Sequence, residues 1–549
     1  MISDFDPVVA EVISGALTAV TEEIEIAILR SAYSQVVKEA QDASCAIFTE
    51  EGSIVAQPVA IPGHLGSMKF MLQEVLKEFP ADALLPGDML ISNDPYRGGS
   101  HLPDIALFRP VFEGKTLIAF VGSIAHYADV GGMVPGSNPM NATEIFQEGL
   151  VIPPAKLYES NRPNPTLLSL IRANVRLPEV FLGDLRAQEA ALCLGERRIH
   201  EVIRKYGIEA LTGVMRRLID LTETRAREEI SAMPRGSYVF EDFMDHDGIN
   251  ISTPVKICCR LVIDEGHLRF DFTGTDRQVQ GPLNAPVAKT WTTVFFCVKC
   301  VLSDAIPFND GLSRVIDIHI PEGTLLNPVY PAPVNARSIT VNRVADTVLG
   351  AFALALPDRV GGQSCGTPTG VSFGGVDPRT HRRFVFYESY CGGLGATNHG
   401  DGADGVSTGT SNQMNIPVEA VEINYPVRVT RYELVPDSGG AGKFRGGLGI
   451  LREYEMLADE ATVNLRGDRA NFAPKGVLGG RNGGLARYVL NAGTSEEKVL
   501  PSKYGGRLLR GQRLRVITPG GGGCGDPAER DPKKAQEDVT NGRIILESS

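Results

Sequence analysis

Two histidines and two carboxylates, His101, Asp104, His126 and Asp129, crowd into one short stretch of the chain, Ile91 to Gly132. The protein has nine histidines in 549 residues, so the clustering carries information. Imidazole nitrogen and carboxylate oxygen together suit one borderline divalent ion, Zn, Mn or Fe, with positions left for water or substrate. A His-x-x-Asp pair in a loop also serves as a hydrogen-bonded brace, and spacing alone does not separate the two uses. Asp129 is a candidate general base, a brace beside the ligands, or simply the acid of an Asp-Val-Gly-Gly turn. His64, in IPGHLGSM, is placed either near the site or as a capping or packing residue.

Hydrophobic alternation indicates the elements that must position these groups. Asp88 to Ser92 reads as a strand, stopped by the turn residues Asn93-Asp94-Pro95. Ile105 to Phe112 and Lys115 to Ala125 read as a hairpin closed by Glu113-Gly114. That loop pairs Phe112 with Lys115 and carries His101 opposite His126, with Asp104 a few residues along. Upstream, Asp6-Pro7 caps a helix whose apolar stripe runs to about Val37. Asp42 opens a strand that turns at Glu51-Gly52 into Ser53 to Ala56. Alone it is an ordinary turn acid. A helix is expected from about Ser67 to Phe79.

Several long segments resemble the hydantoinase B/oxoprolinase family, in order and over essentially the whole chain. They are DPVVAEVISGALTAVTEEI, NDPYRGGSHLPD, AHYADVGGMVPGS, IFQEGLVIPPAKLY, DFTGTDRQVQGPLNAP, NPVYPAPVNAR, NIPVEAVE, PDSGGAGKFRGGLG and TPGGGGCGDPAERD. The resemblance implies a B subunit of an ATP-dependent hydantoin, 5-oxoproline or lactam hydrolase. It also implies a metal ligand set of His101, Asp104, His126 and Asp42. One departure is Tyr127, where many members have a second histidine. The resemblance further implies a partner of the hydantoinase A type, an actin-like ATPase that phosphorylates the substrate carbonyl oxygen. ATP and Mg then belong to that partner, and this chain completes the opening of a small cyclic amide within a hetero-oligomer. Two alternatives stay open: a subunit of an ATP-dependent ketone carboxylase, whose large subunits are commonly longer, and a scaffold whose metal is structural.

The rest of the chain frames these expectations. At 43% hydrophobic it can bury a large core. The net charge of −12 argues against nucleic acid or an anionic membrane as partner. No apolar run is long enough to span a bilayer, and MISDFDP is no secretory signal. Nine scattered cysteines point to reduced thiols in a cytoplasm. Cys297-Val-Lys-Cys300 lacks a second pair and reads as core packing.

An α+β fold in several lobes is expected, with regions 1–164 (metal site), 165–235 (helical), 236–360 (mixed) and 361–549 (glycine-rich and sheet-dominated). Glu148 to Tyr158 is expected to be a proline-rich loop. Long helices are expected over Arg186–Tyr206 and Ile208–Met233, broken at Gly207, then strands to Phe272. Further helices are expected over Ala288–Leu302 and Ala345–Leu356. The glycine clusters after residue 361 suggest tight turns that use positive φ. Gly520–Gly525 formally fits GxGxxG and Gly442-Lys443 resembles a phosphate loop. The first leaves no room for a βαβ unit, and the second lacks both its first glycine and its hydroxyl.

Overall fold

The computed structural model describes residues 6–59 and 61–545. Asp6 caps α1 (Pro7–Ser31), its carboxylate accepting the Val8 N–H at 2.9 Å, with Pro7 in the first turn. The stripe Ile13, Leu17, Val20, Ile24 and Ile28 is buried. The helix stops short of the expected Val37 for a tertiary reason. Asp184 accepts the backbone N–H groups of Tyr33 and Ser34 at 2.7 and 3.0 Å, which draws the chain out of the helix. It re-enters as the short α2 (Gln35–Lys38), capped by Ser34.

Next come β1 (Ala43–Thr49), β2 (Ile54–Ala56), α3 (Pro62–Glu78), β3 (Met89–Ser92), β4 (Asp104–Glu113), β5 (Thr116–His126), β6 (Ala155–Glu159) and β7 (Arg162–Pro163). Their sheet has the order β2-β1-β5-β4-β3-β6-β7. Helices α4 (Pro165–Asn174), α5 (Pro178–Tyr206) and α6 (Ile208–Ser231) follow, the last two parted at Gly207 with φ 85°. The sheet is buried on both faces. Phe48, Phe108, Phe120 and Ile124 pack with Met68, Met71 and Leu72 of α3. Ile47, Leu107 and Val121 pack with Leu17, Leu185 and Leu192 from α1 and α5. Gly195 of α5 admits the tip of Ile24, because a Cβ there would lie 2.5 Å from it.

Two expectations fail in this sheet. Ala155–Glu159 is a strand paired with β3, not a loop: its prolines, Pro153 and Pro154, end just before the ladder begins. The hairpin turns at Gly114-Lys115, where Gly114 adopts φ 61°, so Glu113 pairs with Thr116. A bulge between Val111 and Phe112 shifts the register once more. As a result Asp104, not His101, faces His126.

A second sheet of β8 (Gly236–Met244), β9 (Val255–Asp264), β10 (His267–Asp271) and β11 (Ile316–His319) packs on α7 (Val287–Val301) and α8 (Arg337–Ala355). Helix α8 begins two turns before the expected Ala345. Its opening RSITVNRV is too polar to signal a core helix, yet Arg337, Asn342 and Arg343 are buried there. A third sheet follows, formed by β12 (Thr369–Asp377) and β13 (Arg382–Tyr390) with two later strands. After α9 (Val418–Asn424) come β14 (Val427–Leu434), β15 (Ile450–Met456), β16 (Glu460–Arg466), β17 (Arg487–Leu490), β18 (Lys498–Val499), β19 (Lys503–Leu509), β20 (Arg513–Ile517) and α10 (Pro532–Thr540). Strands β16 and β19 complete the third sheet, and β14-β15-β20-β17-β18 form the fourth. The fold is α+β.

Gly405, Gly479 and Gly525 adopt the positive φ expected of the glycine clusters, but other glycines there have a second cause. At Gly393, Gly447, Gly520 and Gly521 φ is not positive, but a Cβ would lie 1.9–2.1 Å from a backbone carbonyl oxygen of a neighbouring segment. Backbone hydrogen bonds from Gly440 to Gly521, Gly521 to Gly447, Gly447 to Leu394 and Gly522 to Gln363 stitch these segments together. Close approach of backbones, rather than turn geometry, demands glycine here.

Candidate metal centre

Three strand ends meet side by side. Chain pairing sets His126, the last residue of β5, opposite Asp104, the first of β4. On its other side the His126 N–H donates to the Asp42 carbonyl at 3.0 Å, just before β1. The backbone alone therefore brings Asp42, His126 and Asp104 into one row. His101 joins from the preceding loop, its Nδ1 2.9 Å from Asp104 Oδ2. His126 Nδ1 lies 3.3 Å from Asp104 Oδ1, and the two rings are 4.9 Å apart. One ligand atom each from His101, Asp104 and His126 lies within 4.8 Å of the others. His64, in the first turn of α3, bridges the row: its Nε2 is 3.5 Å from Asp42 Oδ1 and 3.7 Å from Asp104 Oδ1. All five side chains are buried.

Their polar atoms are incompletely satisfied. Both ring nitrogens of His101, Nε2 of His126 and Oδ1 of Asp42 have no hydrogen-bond partner among the described residues. His101 Nδ1 is close to Asp104, but out of line for a hydrogen bond. Burial costs such groups dearly unless something else binds them. Burial, with the Arg337 charge adding to it, holds the His101 pKa well below its usual value. Burial likewise pushes His64 down to about 4, against the pull of Asp104 and Asp42. Burial alone would raise Asp104. Its contact with His101 first, and then the Arg337 guanidinium, outweigh that and hold the carboxyl well below the usual range. A neutral His101 beside an ionised Asp104 is the protonation pattern that a divalent cation requires of such ligands. The donor set therefore fits a metal of the Zn, Mn or Fe kind.

Residues from much later in the chain close the site. Arg337, in the first turn of α8, donates from Nη2 to Asp104 Oδ2 and from Nε to Ser100 Oγ, each at 2.9 Å. Tyr387 of β13 stacks on His126 at 4.9 Å between centroids, and its hydroxyl accepts from Arg466 at 2.6 Å. Gln413 Nε2 donates to Asp42 Oδ2 at 3.3 Å. Lys289, in the first turn of α7, is buried and donates to the Gly63 carbonyl beside His64. Burial pushes its pKa down to about 7, with Arg337 adding and Asp104 and Asp42 opposing. Sequence reasoning missed Lys289, Arg337, Tyr387 and Gln413. A signal existed for two of them: a cation in a helix's first turn opposes the macrodipole and needs a nearby anion. Asp129 lies apart in its bonding. Its carboxylate accepts the Gly131, Gly136 and Arg176 N–H groups and the Arg176 guanidinium, all at 3.0–3.1 Å.

Fold and site together define an α+β protein with a buried His–Asp–His cluster where three strand ends of one sheet meet side chains from later ones. The family model for hydantoinase B/oxoprolinase matches residues 6–527, and the chain belongs to that family. It is 38% identical to an uncharacterized protein of Methanocaldococcus jannaschii, over 99% of this chain and 95% of the other. It is 30% identical to the caprolactamase subunit beta of Pseudomonas jessenii, again over 99% and 95%. The crystal structure of the ATP-dependent caprolactamase of that organism superposes with a TM-score of 0.93, covering 99% and 95% of the two chains at 29% identity. Nucleotide-free acetone carboxylase shares the fold, with a TM-score of 0.89 at 19% identity over 99% and 79% of the chains.

Proposed function

We propose that this chain is the metal-holding, ring-opening subunit of an ATP-dependent cyclic amide hydrolase. A partner ATPase of the hydantoinase A type phosphorylates the substrate, and this chain completes the hydrolysis. One observation carries the reading: a buried His101–Asp104–His126 cluster with unpartnered ring nitrogens, in a chain similar along its length to a caprolactamase subunit. His101, Asp104 and His126 hold the ion, and Asp42 is its fourth ligand. When bound, a divalent ion polarises a carbonyl oxygen and acidifies water near neutral pH.

The chain's own residues do the remaining work. Arg337 orients Asp104 and keeps it ionised. Tyr387 fixes the plane of the His126 ring. Lys289, its pKa pushed down to about 7, stands on the His64 side able to give or take a proton where charge develops as an amide is opened. Burial of the whole cluster excludes bulk water and so strengthens each of these interactions. Asp129, with both oxygens already engaged, braces the 129–137 loop behind His126 rather than acting as a base.

The test is reconstitution with the ATPase partner, ATP and a panel of ε-caprolactam, 5-oxoproline and hydantoin, with and without bicarbonate. Ring-opened product with ADP, independent of bicarbonate, is expected. A carboxylated product from a ketone, formed only with bicarbonate, would assign the carboxylase reading instead. Unchanged turnover after metal stripping would make the ion structural.

A further inference from the structure

Buried arginines in this protein sit against carboxylates. Arg343 pairs with Asp468 at 2.8 Å, Arg452 with Glu388 at 3.2 Å and Arg469 with Asp346 at 2.6 Å. Arg466, the last residue of β16, is the exception. It is 4% exposed and has no carboxylate in ion-pair contact among the described residues. Its partners are neutral: Nη1 donates to Asn138 Oδ1 at 3.0 Å and Nη2 to the Tyr387 hydroxyl at 2.6 Å. Nε has no partner among the described residues. An uncompensated buried charge is among the costliest arrangements a fold can hold.

The fold nonetheless makes a place for this charge. Arg466 pairs with Gly370 of β12, and the guanidinium lies over the missing side chain: a Cβ on Gly370 would be 3.1 Å from Nε and from Nη2. The hydroxyl that it binds belongs to Tyr387, whose ring stacks on His126. Arg337, which binds Asp104, is within reach of the same charge. Burial lowers the Arg337 pKa, Asp104 opposes that, and Arg466 adds to the lowering. Two guanidiniums therefore repel each other beside the cluster, and only Arg337 has a carboxylate against it. A divalent ion held by Asp104 and Asp42 would claim both negative charges and leave the two arginines unopposed.

We infer that Arg466 and Arg337 make the cluster an anion site, and that the anion is the phosphoryl group of an activated cyclic amide. A cyclic amide carries no charge until it is phosphorylated. The phosphoryl group then brings a charge of about −1.5 to −2 at neutral pH, which balances two guanidiniums. The planar fork of arginine suits phosphate oxygens, and such a pairing is stronger in a buried site than in water. The arginines thus favour the phosphorylated ring over the same ring before phosphorylation. The inference rests on the cyclic amide reading above and names the chemical form of the ring that this chain accepts.

The experiment titrates inorganic phosphate into the metal-loaded chain by calorimetry, for wild type, Arg466→Gln and Arg466→Lys. Thermal midpoints and metal content are measured on the same samples. Acetate and ε-caprolactam, at constant ionic strength, are the singly charged and the neutral comparison. Phosphate should bind wild type more tightly than acetate, and ε-caprolactam should give no signal. Arg466→Gln should lose about tenfold or more of the phosphate affinity at unchanged metal content. Arg466→Lys keeps the charge without the fork and should fall between the two. Phosphate affinity unchanged in Arg466→Gln would overturn the inference and, with a lowered midpoint, make Arg466 a structural residue. Acetate binding as tightly as phosphate would overturn it too, and so would a wild-type chain that binds no phosphate, a result that depends on no variant. The reading beneath is tested apart, in the reconstituted complex. If that complex opens no cyclic amide while phosphate binding still depends on Arg466, the ring assignment falls and the anion site stands.

Discussion

At the scale of single residues, the proposed chemistry turns on keeping His101 neutral and Asp104 charged inside a buried site. His101→Ala removes a ring with two unpartnered nitrogens. Bound metal per chain should fall to about one-tenth of wild type or less, on the tenfold-or-greater affinity losses typical even of outer partners. Product formation should be lost while the partner continues to release ADP. Elemental analysis beside paired product and ADP assays checks this, and full product formation by the variant would sink the metal reading. Glu148 offers a second test, well removed from the ligands in bonding. Burial pushes its pKa up to about 8, opposed by the Asn335 and Val334 N–H groups and by Arg337. The folded state then holds a proton that the unfolded state has already lost. Stability should fall as pH rises from roughly 4.5 to 8, with a slope of up to about 1.4 kcal/mol per pH unit from this group. Glu148→Gln should lose less stability than wild type across that range. Parallel melting-temperature profiles between pH 5 and 8 would refute it.

At the scale of elements, the fold is held at two kinds of junction. One is the row of strand ends, where β1, β5 and β4 bring Asp42, His126 and Asp104 together through backbone hydrogen bonds. The other is the glycine-laced crossing of segments around residues 361–366, 392–397, 438–449 and 519–525. There a side chain has nowhere to go. Gly521→Ala would set a methyl 2.1 Å from the Leu394 carbonyl oxygen, forcing backbone apart and costing about 3 kcal/mol or more. Gly400 has no atom within 4 Å of its would-be Cβ and no positive φ, so Gly400→Ala should change stability by less than about 0.5 kcal/mol. Chemical denaturation of the pair decides between close approach and generic loop flexibility. Equal effects would refute the packing account.

At the scale of the whole molecule, the candidate centre belongs to no single sheet. Asp42, His64, His101, Asp104 and His126 come from the first sheet and its helix, Lys289 and Arg337 from the helices on the second, and Tyr387 from the third. No helix among the described residues is long and apolar enough to cross a membrane. The glycine runs that resemble nucleotide loops are packed backbone. The isolated chain should accordingly give no ATP binding signal by calorimetry and no ring opening without its partner. Tight ATP binding, or vigorous lactam hydrolysis without ATP, would overturn the division of labour.

Local information is enough to bring the candidate ligands His101, Asp104 and His126 to notice. Two histidines and an aspartate flanking a hairpin are held within a few residues of one another, and Asp6-Pro7 and Gly207 fix element ends by backbone chemistry alone. Asp42 is a candidate only through the family resemblance, because a carboxylate before a strand looks the same whether or not a neighbouring strand brings a histidine to it. The exact pairing was not legible either: a bulge and a shifted turn are decided by side chains packing on both faces of the sheet. Nothing local shows that Arg337 or Lys289 is buried, or that Arg466 lacks a carboxylate. Those properties arise only when helices far apart in sequence are packed against one strand end, and the cost of burying charge is settled by whichever counter-charge that packing supplies. The sequence determines which groups can do chemistry, and the tertiary structure decides which of them are left unpaired to do it.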